Sequence, residues 1–217
     1  MYRKEYGGES GENMMHEEID FSKIIAVSNR HLSRLPYLEQ VERICSFHPK
    51  AFLLREKDLP PEDYLKLARE VKAICERHKV LLIPHFYPEA AKTAGSGVLH
   101  LPLWKLKERR EISVEKGRTD GPEKDGTVKI GVSIHSAEEA KEAVSLGVSY
   151  LTAGHIFITD CKKGVPARGL EFLKEVCEIS PVPVYGIGGI HLDAEQIRSV
   201  LEQGAEGVCI MSEMMRI

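Results

Sequence analysis

The sequence lacks the cysteine spacing, the long apolar run and the leader that mark metal-finger, membrane and secreted proteins. No two of its five cysteines form a CxxC pair, and five is an odd number for a disulfide framework. No segment approaches the roughly 18 consecutive apolar residues of a membrane span, and no apolar stretch near the start has the layout of a signal peptide. We therefore expect reduced thiols, a cytoplasmic location and no membrane partner.

An excess of charge of one sign is also missing. The chain has 30 Lys and Arg against 33 Asp and Glu, a formal net charge of -3, which argues against a surface for nucleic acid. With 217 residues, 42% of them hydrophobic, the chain is long enough to bury the core of one domain. We expect residues 1–20, which are polar and glycine-rich, to form a flexible or helical N-terminal extension, and residues 21–217 to form a single domain.

One kind of junction recurs along the chain. In "TAGSGVLHL" (93–101), "SLGVSYLTA" (145–153) and "EQGAEGVCI" (202–210), a helix-like segment meets a glycine and a β-rich apolar run follows. Five more apolar runs lie at 23–28, 51–54, 80–83, 129–133 and 182–187. Eight short apolar strands, each followed by a segment of helical spacing, predict an α/β protein with a parallel sheet, a (β/α)8 TIM barrel.

Two segments fit this barrel less well. Residues 115–127 are glycine-rich and charged, which is typical of a flexible connection. The chain ends in "SEMMRI", which leaves a shortened C-terminal helix after the eighth strand. A doubly wound open sheet is the alternative fold.

In a barrel of this kind the chemistry lies where the strands end, so strand-end residues are the site candidates. On strand 2, Arg55 and Lys57 share one face while Glu56 points the other way, which suggests an anionic substrate; the alternative is a charged strand end in solvent. On strand 5, Ser133 is a candidate hydrogen-bond donor to substrate, whereas His135 precedes a helix start at Ser136.

The ends of strands 7 and 8 are candidates for phosphate binding. Gly188 and Gly189 leave the backbone bare shortly before Asp193, a predicted helix N-cap, and Met211 and Ser212 follow strand 8. Phosphate binding by the loops after these two strands recurs in barrels. A tight turn is the alternative interpretation of the two glycines.

Strand 6 ends at His155, whose imidazole is suited to moving a proton to or from carbon near neutral pH. The alternative is a structural histidine with satisfied hydrogen bonds. Thr159, Lys162 and the neighbouring "TDCKKG" residues have the composition of a closing loop, and Cys161 lacks an obvious partner for a nucleophilic role.

The fragments "LREKD", "IGVSIHSAEEA", "YLTAGHIFITDCKKGVPARGL", "PVYGIGGI" and "GAEGVCIMS", in this order, resemble the thiamine phosphate synthase superfamily. The resemblance implies a (β/α)8 barrel that acts on a small-molecule thiazole phosphate. In the synthase branch an Asn-Asp pair ends strand 3 and an acid follows strand 4, where they hold Mg²⁺ and a diphosphate. Here Pro84 and His85 occupy the pair's positions and no acid follows strand 4 promptly, so we expect neither a metal nor another cofactor.

The Gly154-His155 step and "TDCKKG" are more similar to the thiazole tautomerase (TenI) branch. That similarity implies that His155 is the general acid/base for aromatising a carboxythiazole phosphate. It further implies that Arg55 and Lys57 face the substrate carboxylate or stabilise charge that develops in the ring. The residues expected to grip the phosphate are Gly188, Gly189, Met211 and Ser212.

Two other functions stay open at this point. One is a Mg²⁺-dependent thiamine phosphate synthase, which joins thiazole phosphate to a pyrimidine diphosphate. The positions that match the synthase's diphosphate contacts are Arg55, Lys57, Ser133, Thr159 and Lys162. The other is a non-catalytic binder of thiazole or thiamine phosphate. The short C-terminal helix puts barrel closure in question, and a homodimer covering the open flank is one remedy.

Overall fold

The computed structural model of the chain describes residues 19–115, 128–159, 162 and 164–217. The predicted extension over residues 1–20 lies outside this part except for Ile19 and Asp20, and so does the predicted connection over 115–127 except for Glu115. Ile19 is buried in the core, and Asp20 caps a short 3-10 helix by accepting a hydrogen bond from the Ser22 N–H.

Eight parallel strands form one sheet, as the recurring junction predicts. The strands are β1 Ile24–Val27, β2 Ala51–Leu54, β3 Leu81–Pro84, β4 Val98–Pro102, β5 Lys129–Ile134, β6 Tyr150–Gly154, β7 Val184–Ile187 and β8 Gly207–Ile210. Their order in the sheet is β3-β2-β1-β8-β7-β6-β5-β4, so each strand lies beside its neighbours in sequence and β1 lies beside β8.

A helix follows each of the first seven strands. The helices are α1 Tyr37–Ser46, α2 Pro61–Arg77, α3 Pro88–Thr93, α4 Leu103–Glu115, α5 Ala137–Ser145, α6 Gly169–Ile179 and α7 Ala194–Leu201. After β8 the chain forms only the 3-10 turn Met214–Arg216, which confirms the shortened C-terminal element. In the described part of the chain, no helix combines the length and apolar character needed to cross a membrane.

The short C-terminal element suggested a gap in the barrel beside β8, but the barrel is closed there and its weakest pairing lies elsewhere. β1 and β8 pair in regular parallel register, with Ile25 opposite Cys209, so the flank beside the missing helix is closed. The thinnest seam lies between β3 and β4, which share a single bridge between His85 and His100. There the Phe86 N–H donates to the His100 carbonyl at 2.9 Å. Because the two edges of the sheet meet, the doubly wound alternative is wrong.

The core has two layers because successive strand residues point to opposite faces of the sheet. One layer packs strands against the helices and includes Ile24, Phe52 and Leu82. The other fills the barrel interior and includes Val27, Leu53 and Cys209. Burial on both faces explains why the strands are short, continuous apolar runs.

Local backbone signals produce the helix ends. The three junction glycines, Gly95, Gly147 and Gly204, have φ values of +55°, +75° and +89°, the left-handed conformation that ends a helix. Ser136 and Asp193 cap the starts of α5 and α7, each accepting a hydrogen bond from the N–H three residues on. Both caps agree with the sequence-based prediction.

Candidate functional site

Two cations leave the end of β2 on the side of the barrel mouth. Between them, Glu56 is buried; it accepts hydrogen bonds from the Ser28 hydroxyl at 2.6 Å and the Arg30 N–H at 3.0 Å. The Glu56 carboxylate therefore already has hydrogen-bond donors from the loop after β1. Lys57 is exposed, yet partial desolvation and the charges of Arg55 and Lys162 lower its pKa.

Lys162 belongs to the loop after β6, on the other side of the mouth. The fold thus brings three of the predicted ligand-binding residues close enough for their charges to interact. Because like charges held together favour a counter-ion, this arrangement suits a ligand that carries a phosphate or a carboxylate.

A cavity of about 220 Å³ adjoins Lys57 at the ends of β2, β3 and β4. Its walls include His85, Phe86, Pro102 and Trp104. The two aromatic rings of Phe86 and Trp104 lie 5.9 Å apart, and the Trp104 side chain is about half exposed at 53%. A volume of this size accommodates one heterocycle between aromatic faces and a cation.

His85 lines this cavity with an uncharged imidazole. Burial, helped by His100 and by the charges of Arg55 and Lys57, lowers its pKa to about 2. Its backbone N–H donates to the Tyr64 hydroxyl at 2.7 Å, and that hydroxyl donates to the Leu54 carbonyl at 2.6 Å. Sequence reasoning noted His85 only as a departure from a family pattern; its position directly after β3 was the available signal.

Ser133, predicted as a donor to substrate, lies on the interior face of β5 and is partly exposed. Its Oγ lies 2.8 Å from His100 Nε2 and 3.1 Å from Thr152 Oγ1. Sequence reasoning missed both neighbours, because they come from the middle of β4 and of β6 rather than from strand ends.

His155 follows β6 directly, and its side chain is buried, with the residue only 3% exposed. Nε2 lies 3.3 Å from the Val165 carbonyl oxygen in the loop before α6. Nδ1 is buried as well and has no hydrogen-bond partner among the described residues. A buried nitrogen without a partner is costly, so it is a candidate for a functional role.

Two side chains hold the backbone in front of His155. The Gly154 carbonyl accepts hydrogen bonds from Arg168 Nε at 3.1 Å and from His135 Nδ1 at 2.7 Å. His135 thus stands at the start of α5, as predicted, and also supports the end of β6.

Gly188 and Gly189 lie against the loop that carries His155. A Cβ on Gly188 would lie 2.4 Å from the His155 Cβ, and one on Gly189 would lie 2.4 Å from the Ile158 carbonyl oxygen. The two glycines therefore allow the loops after β6 and β7 to pack together. Within the described residues their N–H groups have no hydrogen-bond acceptor, so a phosphate contact there stays a prediction.

The remaining predicted residues lie around the same rim. Met211 and Ser212 follow β8 and are partly buried, with Met211 packed on the interior cluster. Thr159 is partly buried in the loop after β6. The neighbouring Asp160, Cys161 and Lys163 lie outside the described residues, so the closing-loop and nucleophile interpretations cannot be placed on them.

The described residues at the mouth provide few ligands for a magnesium-diphosphate site. Two carboxylates follow β2, those of Glu56, which lines the cavity, and Asp58, and both already bind Arg30. β3 ends at Pro84 and His85, which provide no carboxylate oxygen. The described ranges contain no group of three or more His, Cys, Asp or Glu residues that could hold a metal ion.

The thiamine monophosphate synthase family matches residues 24–214 of the chain. The chain belongs to this family. The match covers all eight strands, so it confirms the resemblance drawn from the separate fragments and assigns the chain to thiamine biosynthesis.

Relatives of this family member are similar over nearly their whole length. A putative thiamine-phosphate synthase 2 from Aquifex aeolicus is 31% identical over 194 residues, which cover 89% of this chain and 98% of that one. Thiamine-phosphate synthase 2 from Streptococcus pneumoniae is 30% identical over 195 residues, with 89% and 88% covered. The solved structure of thiamine phosphate pyrophosphorylase from Pyrococcus furiosus superposes with a TM-score of 0.73 at 26% identity, covering 91% of this chain and 89% of that one.

Proposed function

We propose that the protein acts on a thiazole phosphate bound at the barrel mouth and transfers a proton on its ring through His155, as a thiazole tautomerase. The observation that carries this proposal is the buried His155 Nδ1, which has no partner in the described part of the chain, while Nε2 lies beside the Val165 carbonyl.

The carbonyl of Val165 can only accept a hydrogen bond, so it favours the tautomer in which Nε2 carries the proton. Nδ1 then keeps its lone pair and can take a proton from carbon. The electron pair left behind enters the conjugated ring system, and the imidazolium returns the proton to another atom of the same system. Atoms and charge balance, so the reaction is an isomerisation without a co-reactant.

The charges of Arg55, Lys57 and Lys162 suit the intermediate of this reaction. Removing a proton from carbon places negative charge on the substrate, and fixed cations lower the energy of that state more than that of the neutral ring. The cavity beside Lys57 offers aromatic walls for the heterocycle. Because Nδ1 is buried, the proposal requires the loop bearing Val165 to shift when substrate binds.

Thiamine phosphate synthase is the second candidate, and the names of the relatives favour it. The side chains after β2 and β3 favour the first, because the described residues there do not fit Mg²⁺. The two candidates differ in their need for metal. If the protein forms thiamine phosphate from thiazole phosphate and pyrimidine diphosphate, and a chelator abolishes this activity, the protein is a synthase and the proposed tautomerase function is wrong.

The variant His155→Asn tests the proposal. We expect aromatisation of carboxythiazole phosphate, followed by ultraviolet absorbance, to fall by about 100-fold or more, since general acid–base catalysis contributes about that much. Binding of thiazole phosphate, measured by calorimetry, should persist. His48→Asn is the control, because His48 is exposed in the loop after α1. Full activity of His155→Asn, or binding without turnover by the unaltered protein, would overturn the proposal.

A further inference from the structure

Four polar side chains form a connected set inside the barrel, below the mouth. Tyr150 Oη lies 2.9 Å from His100 Nδ1, His100 Nε2 lies 2.8 Å from Ser133 Oγ, and Thr152 Oγ1 lies 3.1 Å from the same Ser133 Oγ. Of the four residues, only Ser133 is partly exposed; the other three are buried. In the described part of the chain, the hydrogen-bond partners of these buried side-chain atoms lie within the set.

The hydroxyl of Tyr150 determines which nitrogen of His100 carries a proton. Within the described residues, His100 Nδ1 is the hydrogen-bond partner of this buried phenol. Burial raises the pKa of Tyr150, so the phenol keeps its proton. If Nδ1 also carried a proton, one of the two would lack an acceptor, at a cost of about 1–3 kcal/mol. Nδ1 is therefore the acceptor.

Gly131 makes this contact possible. A Cβ at position 131 would lie 1.9 Å from Cζ of the Tyr150 ring, so only glycine lets the ring lie across β5. Gly131 and Ser133 are two residues apart on β5 and therefore share one face of the strand. Gly131 accommodates the ring whose hydroxyl acts on Ser133 through His100.

His100 carries a single proton, on Nε2. Burial, helped by the charge of Arg55, lowers the pKa of His100 to about 3, so the ring is neutral near neutral pH. A neutral imidazole has one N–H, and Nδ1 is an acceptor. Nε2 therefore donates to Ser133 Oγ.

Ser133 Oγ then accepts two hydrogen bonds, from His100 and from Thr152. The proton of the Thr152 hydroxyl has Ser133 Oγ as its acceptor in the described part of the chain, because Thr152 is only 1% exposed. A serine oxygen has two lone pairs, and both are now used. The Ser133 O–H is then the remaining hydrogen-bonding group of this hydroxyl. Ser133 is also the partly exposed residue of the four, so this O–H can reach the mouth.

We infer that His100 is a positioning residue that makes Ser133 an obligatory hydrogen-bond donor to the substrate. The substrate atom it contacts must then carry no proton, as in a phosphate oxygen, a carboxylate oxygen or an unprotonated ring nitrogen. The inference rests on the proposed function only in taking the barrel mouth as the substrate site, and it holds for either candidate reaction.

Nitrogen-15 NMR of the imidazole of His100 tests the proton arrangement without any variant. We expect the wild-type ring to be neutral with its proton on Nε2. In Tyr150→Phe, which removes the donor to Nδ1, the ring should shift toward the form with the proton on Nδ1. Nε2 would then accept the Ser133 O–H and withdraw it from the ligand.

Binding of thiazole phosphate, measured by calorimetry, gives the second readout. Ser133→Ala should weaken binding about fivefold, and Tyr150→Phe about two- to fivefold, the size of one neutral hydrogen bond. Tyr185→Phe is the matched control, because its ring contacts Tyr150 edge-on at 5.8 Å in the same interior, while its hydroxyl interacts with Lys50 and not with His100.

A wild-type His100 with its proton on Nδ1 would overturn the inference, and so would a Tyr150→Phe variant that changes neither tautomer nor affinity. If the unaltered protein does not bind thiazole phosphate, the proposed function fails. The positioning role then still stands or falls on the tautomer measured in the wild-type ring.

Discussion

Replacing Gly188 by alanine tests how the loop after β7 supports His155. Gly188 has a φ of +97°, and a Cβ there would lie 2.4 Å from the Cβ and 2.9 Å from the Cα of His155. Carbon atoms pack at about 3.5–4.0 Å, so one of the loops must move by about 1 Å. We expect the backbone strain to cost about 1–2 kcal/mol and the overlap a further 1–3 kcal/mol.

Gly204→Ala provides the matched control for Gly188→Ala. Gly204 has a similar φ of +89°, but a Cβ there would lie 3.4 Å from the Cys177 Cβ, an ordinary contact. Urea unfolding should therefore show a loss of about 1–2 kcal/mol for Gly204→Ala and a distinctly larger loss for Gly188→Ala.

Activity separates the two glycine variants further. A displacement of about 1 Å at His155 can reduce turnover about 100-fold, whereas the control should keep its turnover. Equal stabilities together with equal turnover would refute the close packing of Gly188 on His155 and its part in catalysis.

Two further predictions concern charge. Burial is the main reason that the pKa of His85 is lowered to about 2, whereas an unfolded histidine titrates near pH 6.5. Between these two pH values, the unfolded chain binds a proton at this residue that the folded chain does not. The free energy of unfolding therefore falls as the pH falls, by up to about 1.4 kcal/mol per pH unit. His85→Gln should flatten this slope in urea titrations and His48→Asn should not; equal slopes would contradict it. Lys57→Met should weaken binding of inorganic phosphate roughly tenfold, because it removes a cation that lies close enough to Arg55 and Lys162 for the three charges to interact. Exposed Lys66→Met should leave phosphate binding unchanged, and unchanged phosphate binding by Lys57→Met would contradict the anion site.

Much of the fold could be predicted because its signals are local. Strand β2 was placed over its observed residues, and the glycines at 95, 147 and 204 marked three helix ends, since both patterns depend on a few neighbouring residues. The opposite orientations of Lys57 and Glu56 followed from the alternation of side chains along a strand. The expected gap in the barrel beside β8 was wrong, because the pairing of β1 with β8, two strands far apart in sequence, closes the barrel there.

The candidate site was only partly predictable. His155 and the cations were found from their positions at strand ends, where residues next to each other in sequence share one end of the barrel. The cavity beside His85 was missed, because it needs side chains from three strands at once. The contact of Gly188 with His155 was missed for a similar reason, since it depends on how closely two loops approach.

By itself, the sequence determined the eight strand-and-helix units, the two cations after β2 and the family resemblance, because periodicity and motif spacing are properties of short segments. Only the tertiary structure decided that Lys162 lies near Lys57 and that a tyrosine on β6 acts on Ser133 through His100. These contacts depend on strand register and barrel closure, which set the distance between residues that the chain itself keeps far apart.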